Sequence, residues 1–600
     1  MFDFKHLIIL LQLLFIVKCQ YSSDDQQHLL IRTSSGIYQG RTFQYQNQTI
    51  YQYLGIQYAK VTKRFHRAVP IIRNESNVIL QADRFGPVCK PSGSSCNSPN
   101  LCTVAYGIFT SLSLVDEDCL YLNIFLPITT NTSESWSNSQ RKAIFIWIHG
   151  GSGQIGTGNL FDGSIFAAVG DVIVVTFNFR LNLYGFLSSG DDRLEGNLGL
   201  YDQLLVLDWL YDNADQIGGD RERIVLGGHS AVAIDNECYY TLNENDEKLD
   251  FSKTLDCLSK KDFQTLNEHE HHSYISANHT NVVHQQPFLT SNQNETYLLD
   301  NTNYSKIDIL MGSVADEGLY IAVVPMLIEQ EDQGISTLNL SIVDVALKFL
   351  ANIKPDSSCL YQDALKLYQI NEHICLTLSN PALYECKCSL FLNYSKLISD
   401  ILFYNDYHRY VVERLKKSSI KKQSMKVGKT YLYSYTYHTS QEHPFPCNLY
   451  FHNKGLTGHF GELEYTWGIP LFEKNKSLVQ LDKYMPIGNQ GQLPSAYDSN
   501  QIEFSEQIIR YWSSFIQFGD PNVLKSASSP YWNESVTNKP IVMNLYPKQL
   551  HTTSFFESKS VTFWKRTCPL FTNNTNNEKK IVHGKSFVVL IVLFLILALR

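Results

Sequence analysis

Between Lys142 and Gly219 the chain alternates two kinds of hydrophobic pattern. KAIFIWIHGG, from Lys142, is an unbroken apolar run ending in glycines, and DVIVVTFNFR, from Asp171, is a second. Such runs predict strands buried on both faces. From Gly196 the period changes: Leu200, Leu204, Leu207, Tyr211 and Ala214 fall on one stripe, which predicts a helix closed by Gly218 and Gly219. RIVLGGHS, from Arg223, returns to the strand pattern. Strand, helix, strand at this spacing predicts a parallel sheet with crossover helices, an α/β fold. Near the other end Phe504, Ile508, Trp512 and Phe515 sit at helical spacing before Gly519 and Pro521, which predicts a core helix. No internal repeat or long linker divides the chain, so one large domain is expected. Residues 252–302 are polar and read as a surface excursion. The histidines inside it, His269, His271 and His272, lack further ligands that would make a metal site.

The two ends carry apolar runs of another kind. Lys5 and His6 precede the run Leu7 to Val17, and a cleavable boundary lies near Cys19 and Gln20, so residues 1–19 read as a secretory signal. Phe587 to Leu599 is a run of thirteen apolar or small residues, short for a membrane span. Behind a polar spacer and a small-residue stretch, it makes residues 578–600 read as a GPI-attachment signal, with a single-pass anchor as the alternative. The expected domain is then 20–577. Cysteine count and N-x-S/T acceptors, from Asn47 to Asn573, fit this compartment: of 13 cysteines, Cys19 falls at the signal boundary and leaves an even set. The expected location is the extracellular face of the plasma membrane, or outside the cell. A net charge of −8 with no basic run argues against nucleic acid as a partner.

One stretch carries chemistry. In IVLGGHSAVAIDNECYY an apolar strand runs into Gly-His-Ser-Ala, as in a nucleophile elbow, where a sharp strand-to-helix turn lifts the serine hydroxyl above the sheet. A serine needs an imidazole to take its proton and a carboxylate to orient that imidazole. Downstream, KIDILMGSVADEGLY leads into Glu317, and GLTGHFGELEYTWGIPL offers His459. IHGGSG, after the Lys142 strand, offers backbone N–H groups for an oxyanion.

EDCLYLNIFLP, WIHGG, FNFRLNLYGFL, GNLGLYDQLLVLDWLYDNADQIGGD, DEG and the closing YW..F...GDPN together resemble the type-B carboxylesterases, in the cholinesterase-like branch of the α/β-hydrolase fold. The resemblance runs from about Gly36 to about Phe563. It implies Ser230 as nucleophile, His459 as general base and acid, and Glu317 as orienting carboxylate. Gly151, Ser152 and Ala231 would donate backbone N–H groups to the oxyanion, with Ser152 standing where the family usually has a third glycine. No cofactor and no metal are implied, and the substrate would be a small carboxylic ester. The resemblance also implies disulfides Cys89–Cys119, with Cys96 and Cys102 as an extra pair inside that loop, and Cys238–Cys257. A third family pair is absent, Val561 standing where one of its cysteines is expected. The pairing of Cys359, Cys375, Cys386, Cys388, Cys447 and Cys568 is not legible. Phe109, Tyr320 and Phe451 fall where cholinesterases hold a quaternary ammonium against aromatic faces. His229 stands where cholinesterases carry an acid, so a choline ester and an uncharged ester remain equal candidates. A homodimer is one candidate assembly.

The elbow departs from the pattern. G-x-S-x-G asks for glycine after Ala231, where the chain has Val232, and Cys238 follows only six residues later. The family spans this interval with a helix and a further strand, for which AVAIDN is too short. A segment missing just after Ser230-Ala231 is expected, and with it impaired catalysis or an unfolded product. A non-catalytic adhesion protein resembling neuroligins, or a ligand-binding decoy, is the competing reading.

Overall fold

The computed structural model describes residues 29–73, 78–90, 115–128, 141–151, 153, 156–186, 196–229, 307–318, 366–370, 382–400, 404–420, 428–437, 457–459, 461–472 and 497–555. The expected signal and attachment segments, and the polar stretch 252–302, lie outside them.

Six strands form the first sheet: β1 (Arg41–Tyr45), β2 (Gln48–Gln57), β3 (Tyr121–Ile128), β4 (Lys142–Ile148), β5 (Ile173–Phe177) and β6 (Gly219–Gly228). Their spatial order is β6-β4-β5-β3-β2-β1. β4 pairs in parallel with β5 and β6, Ile144 facing Ile173 on one side and Ile224 on the other. β3 pairs antiparallel with β5 and with β2, and β2 with β1, so one half of the sheet is antiparallel. Four strands form a second sheet: β7 (Ile309–Val314), β8 (Thr430–Tyr435), β9 (Ile541–Leu545) and β10 (His551–Ser554), in that order. β7, β8 and β9 are parallel, and β10 closes the edge antiparallel. The expected single central sheet is therefore described in two parts, divided between β6 and β7. That is the interval of the chain holding the short link after Ser230.

The apolar runs explain the layering. Every residue of β4 is buried. Ile144, Ile146 and Ile148 pack into a cluster with Leu200, Leu204 and Leu207 of α2 (Leu198–Asn213). The alternate residues Ala143, Phe145 and Trp147 pack into another, with Ile165 and Phe166 of α1 (Ser164–Gly170) and Ile509 and Ile516 of α6 (Ser499–Phe518). A strand side-chain period of two thus feeds two cores, one on each face of the sheet. β6 differs: from Asp220 to Gly228 its residues are half-buried or exposed. Among the described residues it pairs only with β4, and β7 only with β8.

Helix α6 joins the two sheets. Its start is fixed by a capping box, in which the Asp498 side chain accepts from the Gln501 backbone and the Gln501 side chain from the Asp498 N–H. Gly519, at φ 63°, ends it. Ile509 and Ile516 face the β4 core, whereas Phe504, Ile508 and Tyr511 pack with Val314, Tyr431, Tyr435, Met543 and Leu545 of the second sheet. One amphipathic helix thus covers the same side of both sheets. Between β8 and β9 the chain also forms the short helix α5 (Leu463–Thr466), while α3 (Ala382–Ser399) and α4 (Asn405–Ile420) lie between β7 and β8 in sequence.

Cys89 and Cys119 form a disulfide closing the loop before β3, as the resemblance implied. Cys386 on α3 is disulfide-bonded as well. Cys96, Cys102, Cys238 and Cys257 lie outside the described residues.

Candidate active site

The C-terminal ends of β4, β6 and β7 bring the candidate groups together. Glu317 follows β7 by one turn, and its Oε1 accepts the Val314 N–H at 3.0 Å. That bond aims Oε2 at His459, whose Nδ1 lies 2.5 Å away. The same turn holds the His459 backbone: Asp316 N–H donates to Thr457 O at 2.9 Å, and Thr457 N–H donates to Asp316 Oδ2 at 3.0 Å. From behind, Gly318 N–H donates to Ser399 Oγ of α3 at 2.7 Å. The Tyr404 hydroxyl donates to Ala315 O at 2.6 Å. Sequence neighbours of Glu317 therefore position both members of the pair.

Glu317 is 6% and His459 9% exposed, so burial governs their protonation. Burial pushes the Glu317 carboxyl up, with the Glu462 carboxylate adding to the push and His229 and the Val314 N–H opposing it. Burial, then the His229 imidazole, pushes His459 well below its ordinary value. Both shifts disfavour isolated charge on either group. With Nδ1 bonded to Glu317, the ring nitrogen left to accept a proton is Nε2, and the imidazolium formed there would gain a carboxylate partner.

His229 directly follows β6 and precedes Ser230. Its Nε2 lies 3.3 Å from Glu462 Oε1, and its ring packs on that of His459 with centroids 4.4 Å apart. In the sequence His229 stands out only where cholinesterases carry an acid, and Glu462 belongs to no motif. The one available signal was that Glu462 follows His459 by three residues, within the same turn.

Gly151 lies in the loop leaving β4, the neighbour of β6, with φ 114°, a conformation that favours glycine. The loop folds back on itself: a Cβ at Gly156, φ 102°, would sit 2.2 Å from Gly150 O. Asn182 N–H fastens it by donating to Gly153 O at 2.7 Å. The structure thus unites Glu317 and His459 and sets Gly151 at the end of the strand beside β6. Ser230, Ala231, Ser152, Phe109, Tyr320 and Phe451 lie outside the described residues.

His149, just before this loop, is buried, stacks on Phe179 at 4.4 Å and donates from Nδ1 to Gly150 O at 2.9 Å. Burial pushes its imidazole down to about 4, against the opposing pull of that carbonyl. An unfolded histidine protonates near pH 6.5. Between about pH 6.5 and 4 the unfolded chain therefore binds more protons, and stability falls as pH falls. The contribution is complete above pH 6.5 and is lost on descent to about 4, at a cost on the order of 3 kcal/mol. His149→Gln is expected to flatten the acid limb of melting temperature against pH. Parallel curves for the two proteins over that window would refute it.

The model of the carboxylesterase family matches residues 27–237 and 231–564, which is most of the chain. The chain belongs to the carboxylesterase family. Among individual carboxylesterase relatives, neuroligin-2 of Mus musculus is 47% identical over 130 residues, 20% of this chain and 16% of that protein. Neuroligin-3 of Mus musculus is 24% identical over 539 residues, 78% of this chain and 59% of that protein. Acetylcholinesterase-1 of Trittame loki is 34% identical over 211 residues, 34% of this chain and 35% of that protein. The chain spans less than two thirds of each of these relatives. The family match also breaks into two segments that meet at residues 231–237, directly after Ser230. Among the described residues no helix is long and apolar enough to cross a membrane.

Proposed function

We propose that this carboxylesterase is a secreted or surface-anchored serine esterase whose turnover is impaired by its short link after Ala231. Residues 20–577 would form its single domain, carried outward by the 1–19 signal and held by the 578–600 attachment signal. The observation that carries the reading is the buried bond between Glu317 and His459. A binding protein gains nothing from a buried imidazole aimed by a carboxylate, whereas acyl transfer requires it.

In this mechanism Ser230 Oγ attacks the ester carbonyl while His459 Nε2 takes its proton, and Glu317 stabilises the resulting imidazolium. Backbone N–H groups of Gly151, Ser152 and Ala231 hold the oxyanion. His459 then returns the proton to the leaving alcohol, and water hydrolyses the acyl-enzyme by the same steps. The substrates are small carboxylic esters. Relative rates on acetylthiocholine and an uncharged butyrate ester would decide whether Phe109, Tyr320 and Phe451 favour a choline group.

Covalent labelling tests the reading without requiring full turnover. An uncharged fluorophosphonate is expected to add once to the intact chain, at Ser230 by peptide mass, and Ser230→Ala is expected to abolish the adduct. No adduct on folded protein would overturn the esterase reading. It would favour the second one, a neuroligin-like binding protein, which the 539-residue similarity to neuroligin-3 supports.

A further inference from the structure

The mechanism leaves two buried groups beside His459 without a role. His229 is 8% and Glu462 7% exposed, and Nε2 of the first meets Oε1 of the second at 3.3 Å. His229 directly follows the strand that leads to Ser230, whereas Glu462 stands on the His459 turn at the head of α5. The His229 ring also lies against the His459 ring, at 4.4 Å between centroids and 43° between planes. The nucleophile strand and the base turn are thus fastened side chain to side chain where a serine must meet its imidazole.

We propose that His229 and Glu462 are a positioning pair, an imidazole–carboxylate clamp that holds the His459 turn against the end of the Ser230 strand. The proposal rests on the esterase reading and deepens it. Glu317 fixes His459 by its Nδ1 edge and His229 bears on its face, so two independent constraints oppose rotation of the ring. A buried pair suits this task because removing either member leaves a buried polar group without its partner, so the contact tolerates little drift. The clamp matters more here than beside a complete elbow. With only Val232 to Glu237 between Ala231 and Cys238, the chain has no residues for the helix that would otherwise brace the serine.

Among the described residues the titratable groups facing His459 are Glu317 from the β7 turn, His229 just after β6 and Glu462 from its own turn, with Asp316 behind at Thr457. Burial and then the neighbouring His229 disfavour protonation of His459, and the Glu462 carboxylate favours it. The two partners of one clamp therefore act on His459 with opposite sign. Simple packing would not do this.

The test follows fluorophosphonate labelling of the intact chain from pH 5 to 9, with folding checked by circular dichroism. His229→Gln and Glu462→Gln are each expected to slow labelling at least about tenfold, the scale for losing alignment of a base. The double variant should be no slower than the slower single one, because the residues act as one unit. The pH midpoint should rise in His229→Gln and fall in Glu462→Gln. Unchanged rates, or midpoints that move together, overturn the clamp. Proton NMR of the His459 Nδ1–H, strongly deshielded in its bond to Glu317, supplies a readout independent of Ser230. Loss of that resonance in both variants supports the clamp, and its persistence in both overturns it. If the unaltered chain takes no label, the esterase reading fails while the NMR arm still decides the clamp. Should a glutamine variant not fold, His229→Asn and Glu462→Asp carry the same measurements.

Discussion

Replacing Val232–Glu237 with the corresponding, longer stretch of an esterase relative is expected to raise ester turnover by about 10²- to 10³-fold, the scale for one oxyanion donor. Six extended residues reach about 20 Å, enough to cross a gap but not to wind a helix and return as a strand. The Ala231 N–H depends on a sharp turn into a helix for its direction. The Glu317–His459 bond and the Gly151 loop are already in place, so under the proposed mechanism a lengthened elbow would meet the candidate base and part of the candidate oxyanion hole. The placement of β6 and β7 is consistent with this. Both are sheet edges among the described residues, both run towards the His459 turn, and both lie under α6. The check is kcat/KM on 4-nitrophenyl butyrate for the native and lengthened chains. Equal values would show that the link is a working elbow after all.

The second large effect concerns stability. Arg180 is expected to be the costliest charged residue to replace, with Arg180→Met losing about 3–5 kcal/mol. The guanidinium makes two 2.7 Å bonds to Asp202, through Nε and Nη2, and a third of 2.7 Å to His66 O. Asp202 also accepts the Arg180 backbone N–H, and the pair is 3% and 0% exposed. Methionine would leave the Asp202 carboxylate inside α2 without a counter-charge. Arg180→Met with Asp202→Leu should recover most of the loss, since an apolar pair strands nothing. Urea unfolding reads both. The Arg64–Glu117 pair is the control: it is exposed, and Arg64→Met should leave the midpoint unmoved. A similar midpoint for Arg180→Met would refute the argument.

Much of this molecule is written locally. The unbroken apolar run at Lys142 specifies a strand with two buried faces because each face finds its own core. The Asp498 and Gly519 caps delimit α6 as the spacing of Phe504 and Ile508 suggests. Glu317 and His459 were legible because each lies in a short motif, and the structure brings them within bonding distance. The His229–Glu462 contact was not. It joins residues far apart in sequence, and neither side chain belongs to a pattern until β6 and the His459 turn are laid side by side. The antiparallel half of the first sheet was equally silent, since a buried strand reads the same whichever way its neighbour runs.

The place of α6 in the chain has a consequence for synthesis. Its residues, Ser499–Phe518, leave the ribosome after all of β1 to β8, yet they cover Phe145 and Trp147 of β4 as well as Val314 of β7. At 5–20 residues per second, the outer face of β4 stays only partly covered, by α1, for roughly 20 seconds or more before α6 arrives. Domains with such delayed closure depend on holding chaperones. Yield from cells should therefore respond to chaperone supply more strongly than the finished fold's stability would suggest.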